Sequence, residues 1–276
     1  MFHYVQILTL LVGCCLNAAA APKLELRPKP GEERDFVIHP KLKMRFCRIP
    51  AGKAILGAPD SEKLRTKDQK EHSFTTPGFW LGKFEVMQGD WESVMGMNPC
   101  SFAKTGENKM LVANMDTSQF PVESVSWDDC QIFIKKCKLA GFEIRLPHED
   151  EWEYAYRGSK GNKQAFYWGN ELNGDKANHR GERPYGTKIK GNTLERPCHV
   201  GTYSKQAPHP WGLCDMSGNV AEWCDNLYPG SKYRVFRGGS WSDEGEFCRG
   251  AIRFRNTPDD RSKVIGFRLA LIPESK

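Results

Sequence analysis

The chain has 276 residues, 39% of them hydrophobic, with 40 Lys and Arg against 34 Asp and Glu and a formal net charge of +6. That is enough apolar material for one sizeable core, and no basic block or basic helix gathers the positive charge into a nucleic-acid footprint. With 8 Trp, 26 Gly, 17 Pro and a mean hydropathy of −0.59, the composition predicts a loop-rich fold pinned by aromatic residues rather than a helical bundle.

Residues 1–21 have the character of a secretory signal. Val5 to Leu16 is apolar but too short to span a bilayer, and the run Ala18 to Ala21 offers a small-residue cleavage site. Leu11-Val12-Gly13-Cys14 also matches a bacterial lipobox, which would place a lipid on Cys14 and make the chain a membrane-anchored lipoprotein. Both readings take the protein out of the cytoplasm, to a secreted or periplasmic location. Residues 22–40 carry Pro22, Pro28, Pro30 and Pro40 with mixed charges, the composition of a tether. A single domain is expected over 41–276.

Within it, Met44 to Ile49 and Lys53 to Leu56 are expected strands, separated by a charged loop (Asp60 to His72) from a further strand at Phe79 to Val86. Asp90 to Met95 is a short helix with Trp91 inward. The clearest helix begins at Ser126, where Ser126 and Asp129 form an acidic capping box, and runs to Gly141. Phe142 to Leu146 is expected as a strand. Pro147 then opens a second helix whose first turn holds Glu149, Asp150 and Glu151 and which stops at Gly158. Tyr167 to Pro210 shows little periodicity and predicts a long ordered loop region. Arg234 to Trp241, Cys248 to Arg255 and Val264 to Leu271 are the expected closing strands.

Ten cysteines are present, of which Cys14 and Cys15 lie in the leader. The other eight, an even number in an exported chain, permit disulfide bonds without fixing their connectivity. Cys130 and Cys137 fall seven apart on one expected helix, roughly 10 Å along its axis, too far for a disulfide with each other. Cys214 and Cys224 flank a polar turn that they could staple.

That turn lies in Trp211 to Trp223, which sets Asp215, Ser217, Gly218, Asn219 and Glu222 between aromatic residues. Ser-Gly-Asn is turn chemistry, since Gly218 can take a positive φ and Asn219 can bond its own backbone. Such a turn aims carbonyl and carboxylate oxygens at one point, as a hard cation such as Ca²⁺ requires, or is a surface turn capped by its own Asp and Asn.

Taken with Arg237-Gly238-Gly239-Ser240-Trp241 and Ile265-Gly266-Phe267-Arg268, the Trp211 to Trp223 stretch resembles the formylglycine-generating enzyme (sulfatase-modifying factor) domain family. Upstream matches run in the family's order: Ile49 to Gly52, Gly78 to Val86, Pro121 to Trp127, and Arg145 to Pro147 with Glu151 to Ala155. The resemblance covers about residues 44 to 272. It implies an α+β, irregular, loop-rich single domain of C-type-lectin-like architecture. It also implies one Ca²⁺ site from the Asp215 side chain, the Gly218 and Val220 carbonyls and Glu222, and a second from Asn178, His179, Asn192 and Leu194.

Active oxidases of this family hold Cu(I) between two cysteines five apart after the Gly-Gly-Ser strand, an assignment suited to soft sulfur. Here Asp243 stands three after Ser240, where the first cysteine would be, and the segment is shorter, so Ser240 and Cys248 are the candidate catalytic positions left. Ala221 and Val264 replace the Trp and Asn of the active enzymes. The family's iron-dependent sulfoxide synthases take His ligands from a helical module that this chain lacks. The resemblance therefore implies a non-copper, non-oxidase member binding or maturing a protein or peptide partner outside the cytoplasm. The alternatives are an active oxidase converting a sulfatase Cys to formylglycine and a lipid-anchored structural envelope protein.

Overall fold

The computed structural model describes residues 29–158 and 162–274. The expected signal or lipobox, with Cys14 and Cys15, lies outside the described residues. Strands β1 (Glu33–His39), β2 (Leu42–Ile49), β5 (Phe79–Gly82), β6 (Phe142–Arg145) and β11 (Ala270–Pro273) form a five-stranded sheet in the order β1-β2-β5-β11-β6, whose assigned pairings are antiparallel. A second sheet has the order β10-β7-β8-β9, built from β7 (Ala221–Leu227), β8 (Arg234–Arg237), β9 (Phe254–Asn256) and β10 (Ile265–Gly266), with β10 parallel to β7. Strands β3 (Gly52–Leu56) and β4 (His72–Thr76) make a separate hairpin. Among the described residues three α-helices accompany the sheets: α1 (Gln88–Met95), α2 (Trp127–Lys136) and α3 (Glu149–Arg157).

The tether expected over 22–40 is corrected at its C-terminal end. Glu33 to His39 pairs with β2, from Glu33 opposite Cys47 to His39 opposite Leu42. Phe36 anchors the strand, edge-on to Phe46, Trp80 and Phe142 at 5.3–5.8 Å. Helix α2 has the expected cap: the Ser126 hydroxyl accepts the Asp129 N–H at 3.1 Å and Asp129 accepts the Ser126 N–H at 2.9 Å. It ends at Lys136 rather than Gly141, because Cys137 turns to an extended conformation (φ −90, ψ 142). Helix α3 starts at Glu149, capped by His148 instead of opened by Pro147, and stops on Gly158 at φ 60. Between Arg157 and Ala221 the described residues contain no helix or named strand.

Two apolar cores flank the main sheet. In one, Trp91 of α1 stacks on Phe133 of α2 at 5.4 Å, and both pack edge-on to Phe267. The other surrounds α3, whose residues Trp152 to Arg157 are all buried, together with Glu149. Burying a helix on every side forces its charged residues to find partners inside the protein. Glu153 does so through Arg157 (2.7 Å), Arg237 (2.5 Å) and the Gly57 N–H (2.7 Å). Glu149 is held by Arg253 at 2.5–2.6 Å.

Burial alone would push the Glu153 carboxyl up, but Arg237, Arg157 and the Gly57 amide outweigh it and hold it at about 2, below its ordinary value of 4.5. A depressed folded value means stabilisation that is complete above the unfolded value and lost as pH falls through the folded one. Glu153→Gln leaves two guanidinium groups without their carboxylate and should cost about 3–5 kcal/mol. Urea titrations should show this loss at neutral pH. They should also show a flatter decline of stability between pH 4.5 and 2 than in the wild type.

Candidate functional site

The turn within Trp211 to Trp223 is shaped by three residues at positive φ: Asp215 (55°), Gly218 (75°) and Asn219 (60°). Asp and Asn tolerate this region, but position 218 needs glycine for a second reason. A Cβ there would lie 2.3 Å from the Asn178 carbonyl oxygen. Asn219 does more than close its own turn. Its side chain accepts the Cys198 N–H (3.0 Å) and the Asn178 amide (3.2 Å), and donates to Glu85 (3.2 Å).

Three carboxylates gather behind this turn, Glu85 and Glu222 buried and Asp215 half-buried. Glu222, on β7, takes Arg268 in a two-pronged pair (2.7 Å at each oxygen), and its Oε2 also accepts the Trp152 indole N–H at 2.7 Å. Asp215 accepts the Gly201 N–H at 2.5 Å. Glu85, which follows β5, accepts the Val220 N–H at 3.3 Å and the Asn219 amide. Burial, then the charges of Asp215 and Glu222, push the Glu85 carboxyl well above its ordinary value, and burial pushes Asp215 up as well. Sequence reasoning missed Glu85. Its signal was an acid between Phe84 and Val86, in the middle of an apolar run.

Three carboxylates less one guanidinium leave two negative charges in excess when all are ionised, the charge a divalent cation would neutralise. The buried Gly218 and Val220 carbonyls accept no hydrogen bond among the described residues, although buried carbonyls are nearly always satisfied. Asp215, Gly218, Val220 and Glu222 thus offer oxygens of the kind a hard cation takes, although no group of three or more His, Cys, Asp or Glu among the described residues is placed to hold a metal. Glu222 has little capacity to spare, because its Oε2 already accepts two donors and its Oε1 one.

For the second expected site, Asn178 and His179 are buried, Leu194 is half-buried and Asn192 is exposed. The segment containing Asn192 and Leu194 does pass beside Asn178, whose amide donates to the Arg196 carbonyl at 3.0 Å. The buried Asn178 Oδ1 has no partner, which leaves an oxygen for an ion. The His179 ring accepts the Gly174 N–H at 3.0 Å and is held neutral, its value pushed down to about 4 by burial.

Where the resemblance would place the copper ligands of active members, the arrangement is of another kind. Asp243 turns its carboxylate back on Ser240, accepting its N–H at 2.8 Å and its hydroxyl at 2.7 Å. Ser240 and Cys248 are both fully buried. The Cys248 sulfur packs 3.8 Å from the Glu244 carbonyl, and burial pushes its thiol well up. Ala221 and Val264, the two other departures, meet through an Ala221 N–H to Val264 carbonyl bond of 2.9 Å. Both pack into the first core. The acids near His148 diverge: Glu149 goes to Arg253, Glu151 to Arg145, and the His148 ring accepts the Asp150 N–H.

No disulfide is closed among the described residues, where all eight cysteines are free and buried. Cys214 and Cys224 do not staple the turn; their sulfurs lie near the Gly212 and Glu222 carbonyls, at 3.9 and 3.8 Å.

Residues 37–272 match the sulfatase-modifying factor enzyme 1-like domain. The chain belongs to this family of formylglycine-generating-enzyme-like domains. It is 37% identical over 161 residues to the inactive C-alpha-formylglycine-generating enzyme 2 of Bos taurus, covering 55% of this chain and 50% of that protein. It thus spans about half the length of that relative. The formylglycine-generating enzyme of Mus musculus is 28% identical over 285 residues, covering 82% of this chain and 74% of its own. Among solved structures, Treponema denticola variable protein 1 (22% identity, TM-score 0.69) covers 87% of this chain and 99% of that one. PvdO from Pseudomonas aeruginosa (23% identity, TM-score 0.69) covers 88% and 99%. These two establish the loop-rich α+β fold. No helix among the described residues is long and apolar enough to cross a membrane.

Burial pushes the Cys137 thiol up to about 11 and those of Cys47, Cys198 and Cys214 to about 12. Alkylation needs an accessible thiolate. Iodoacetamide should therefore leave the native protein unmodified at neutral pH over a period that fully labels its reduced, denatured form, as read by intact mass.

Proposed function

We propose that this chain is a non-oxidase member of its family that binds, or assists the maturation of, a protein or peptide partner. The observation that carries the reading is the Asp243 carboxylate locked onto Ser240, with Cys248 buried as a lone thiol beyond it. A linear Cu(I) dithiolate needs two sulfurs, and a carboxylate is a hard ligand unsuited to that ion. The likeness to a protein named as inactive supports the same reading. So does the closure of Ala221 and Val264 into apolar core.

The partner and the compartment are inferred from family and sequence. The family's enzymes are named for making formylglycine, which is a modified residue of a protein, so a polypeptide partner is the natural occupant. The apolar segment at Val5 to Leu16 and the Ala run after it support export. The deciding experiment incubates the purified protein with Cu(I) and a Cys-containing sulfatase peptide. Neither tight copper binding nor formylglycine should appear, and Asp243→Cys should not restore turnover, since a misplacement of about 1 Å can cost on the order of a hundredfold in rate. Turnover by the wild type would overturn the proposal.

We also propose that the first oxygen site holds Ca²⁺ as a structural ion. An ion bound by the folded state alone raises stability by mass action. Added Ca²⁺ should raise the melting temperature, and chelator should lower it. Asp215→Asn is the cleaner probe than a Glu222 variant, because Glu222 also neutralises Arg268. That variant should lose most of the Ca²⁺-dependent shift, and identical melting with chelator and with Ca²⁺ would remove the ion.

A further inference from the structure

Cys47 lies mid-strand in β2, opposite Glu33 of β1 and Leu81 of β5. Its side chain leaves the sheet toward the segment that leads into the polar turn. A Cβ on Gly212 would lie 3.5 Å from the Cys47 sulfur and 3.2 Å from a Glu33 carboxylate oxygen. Cys214, two residues on, has its sulfur 3.9 Å from the Gly212 carbonyl oxygen. The Cys214 N–H donates to the Lys83 carbonyl at 2.9 Å, and the Lys83 N–H donates to the Arg45 carbonyl at 2.9 Å. Cys214 is thus stitched to the sheet beside the stretch of β2 that carries Cys47. The two sulfurs flank a residue without a side chain, and they share Lys83 and Arg268 as nearby cations. Four of the other thiols have different neighbours: the Glu123 N–H for Cys100, Asn219 for Cys198, the Glu222 carbonyl for Cys224 and the Glu244 carbonyl for Cys248.

We propose that Cys47 and Cys214 are a disulfide pair, joined when the chain folds in an oxidising medium. The oxidant is a small disulfide such as oxidised glutathione. One cysteine thiolate attacks it, forming a mixed disulfide and releasing one glutathione thiolate. The second cysteine then attacks the protein sulfur and releases the other. Two thiol protons go to solvent, two electrons go to glutathione, and one S–S bond replaces another. Both thiols are buried in the folded protein, so exchange takes place before the Trp211 to Trp223 segment seals over β2. The bond ties the segment carrying Asp215 to the main sheet.

The full chain is denatured, reduced and refolded in a glutathione redox buffer, then digested without reduction. The expected result is a linked peptide pair containing Cys47 and Cys214. It should be absent from Cys47→Ser and Cys214→Ser and retained in Cys130→Ser. The oxidised wild type should unfold at higher urea than its reduced form, a shift that Cys47→Ser lacks. Should the serine variants fail to fold, the wild-type peptide map decides alone. Recovery of Cys47 and Cys214 as separately alkylated peptides from oxidised, folded protein overturns the proposal, as does linkage of either to another cysteine.

Discussion

The Arg268 guanidinium is the tie on which the arrangement of this domain depends. It is fully buried, pairs with Glu222 at both carboxylate oxygens, and donates to the carbonyls of Gly82 (2.9 Å), Lys83 (3.2 Å) and Cys214 (2.9 Å). One side chain therefore joins the end of β5, the start of β7 and the entry to the polar turn. A buried ion pair is weak support for stability when its desolvation is counted, but losing one member of it is costly. Here the pair also fixes positions. Glu222 receives the Trp152 indole as well, which docks α3 against β7.

The same principle runs through the parts of the chain that lack regular structure. The described residues between Arg157 and Ala221 form no named strand, and polar side chains there add to the backbone bonds of turns and isolated bridges. Arg157 donates to the Gly57 and Asn162 carbonyls, Asn162 to the Arg157 carbonyl, and Asn219 serves both backbone groups of Cys198. Buried Arg and Asn side chains reinforce these turns, so low secondary-structure content coexists with two dense cores.

Features governed by local chemistry were legible in the sequence. The Ser126–Asp129 cap, the Gly158 stop, the inward Trp91 and the positive φ at Gly218 each depend on residues a few positions apart. Strand β1 was hidden by Pro28, Pro30 and Pro40, which bracket it without entering it, and its partner β2 supplies its reason to be extended. Strand β7 was hidden because Asn219 to Glu222 reads as the end of a turn, whereas Ala221 already pairs with Ile265. At the site, the oxygen donors of the turn could be named from sequence. Glu85 could not, because it lies more than a hundred residues upstream and only the packing of β5 against the turn brings it in.

The turn around Ser240 and Asp243 shows how this fold satisfies a fully buried loop. A turn after Gly239 needs something to satisfy the Ser240 N–H and hydroxyl in a fully buried place. Asp243 meets both needs with one carboxylate oxygen. Its backbone carbonyl also takes the Arg180 N–H, joining the turn to the loop that follows Asn178 and His179. Cys248 and its neighbours Phe166, Leu172 and Tyr185 form a small core of their own behind it. A single carboxylate oxygen thus holds the backbone and the hydroxyl of Ser240 in place. One aspartate thereby cross-links two loops through three hydrogen bonds.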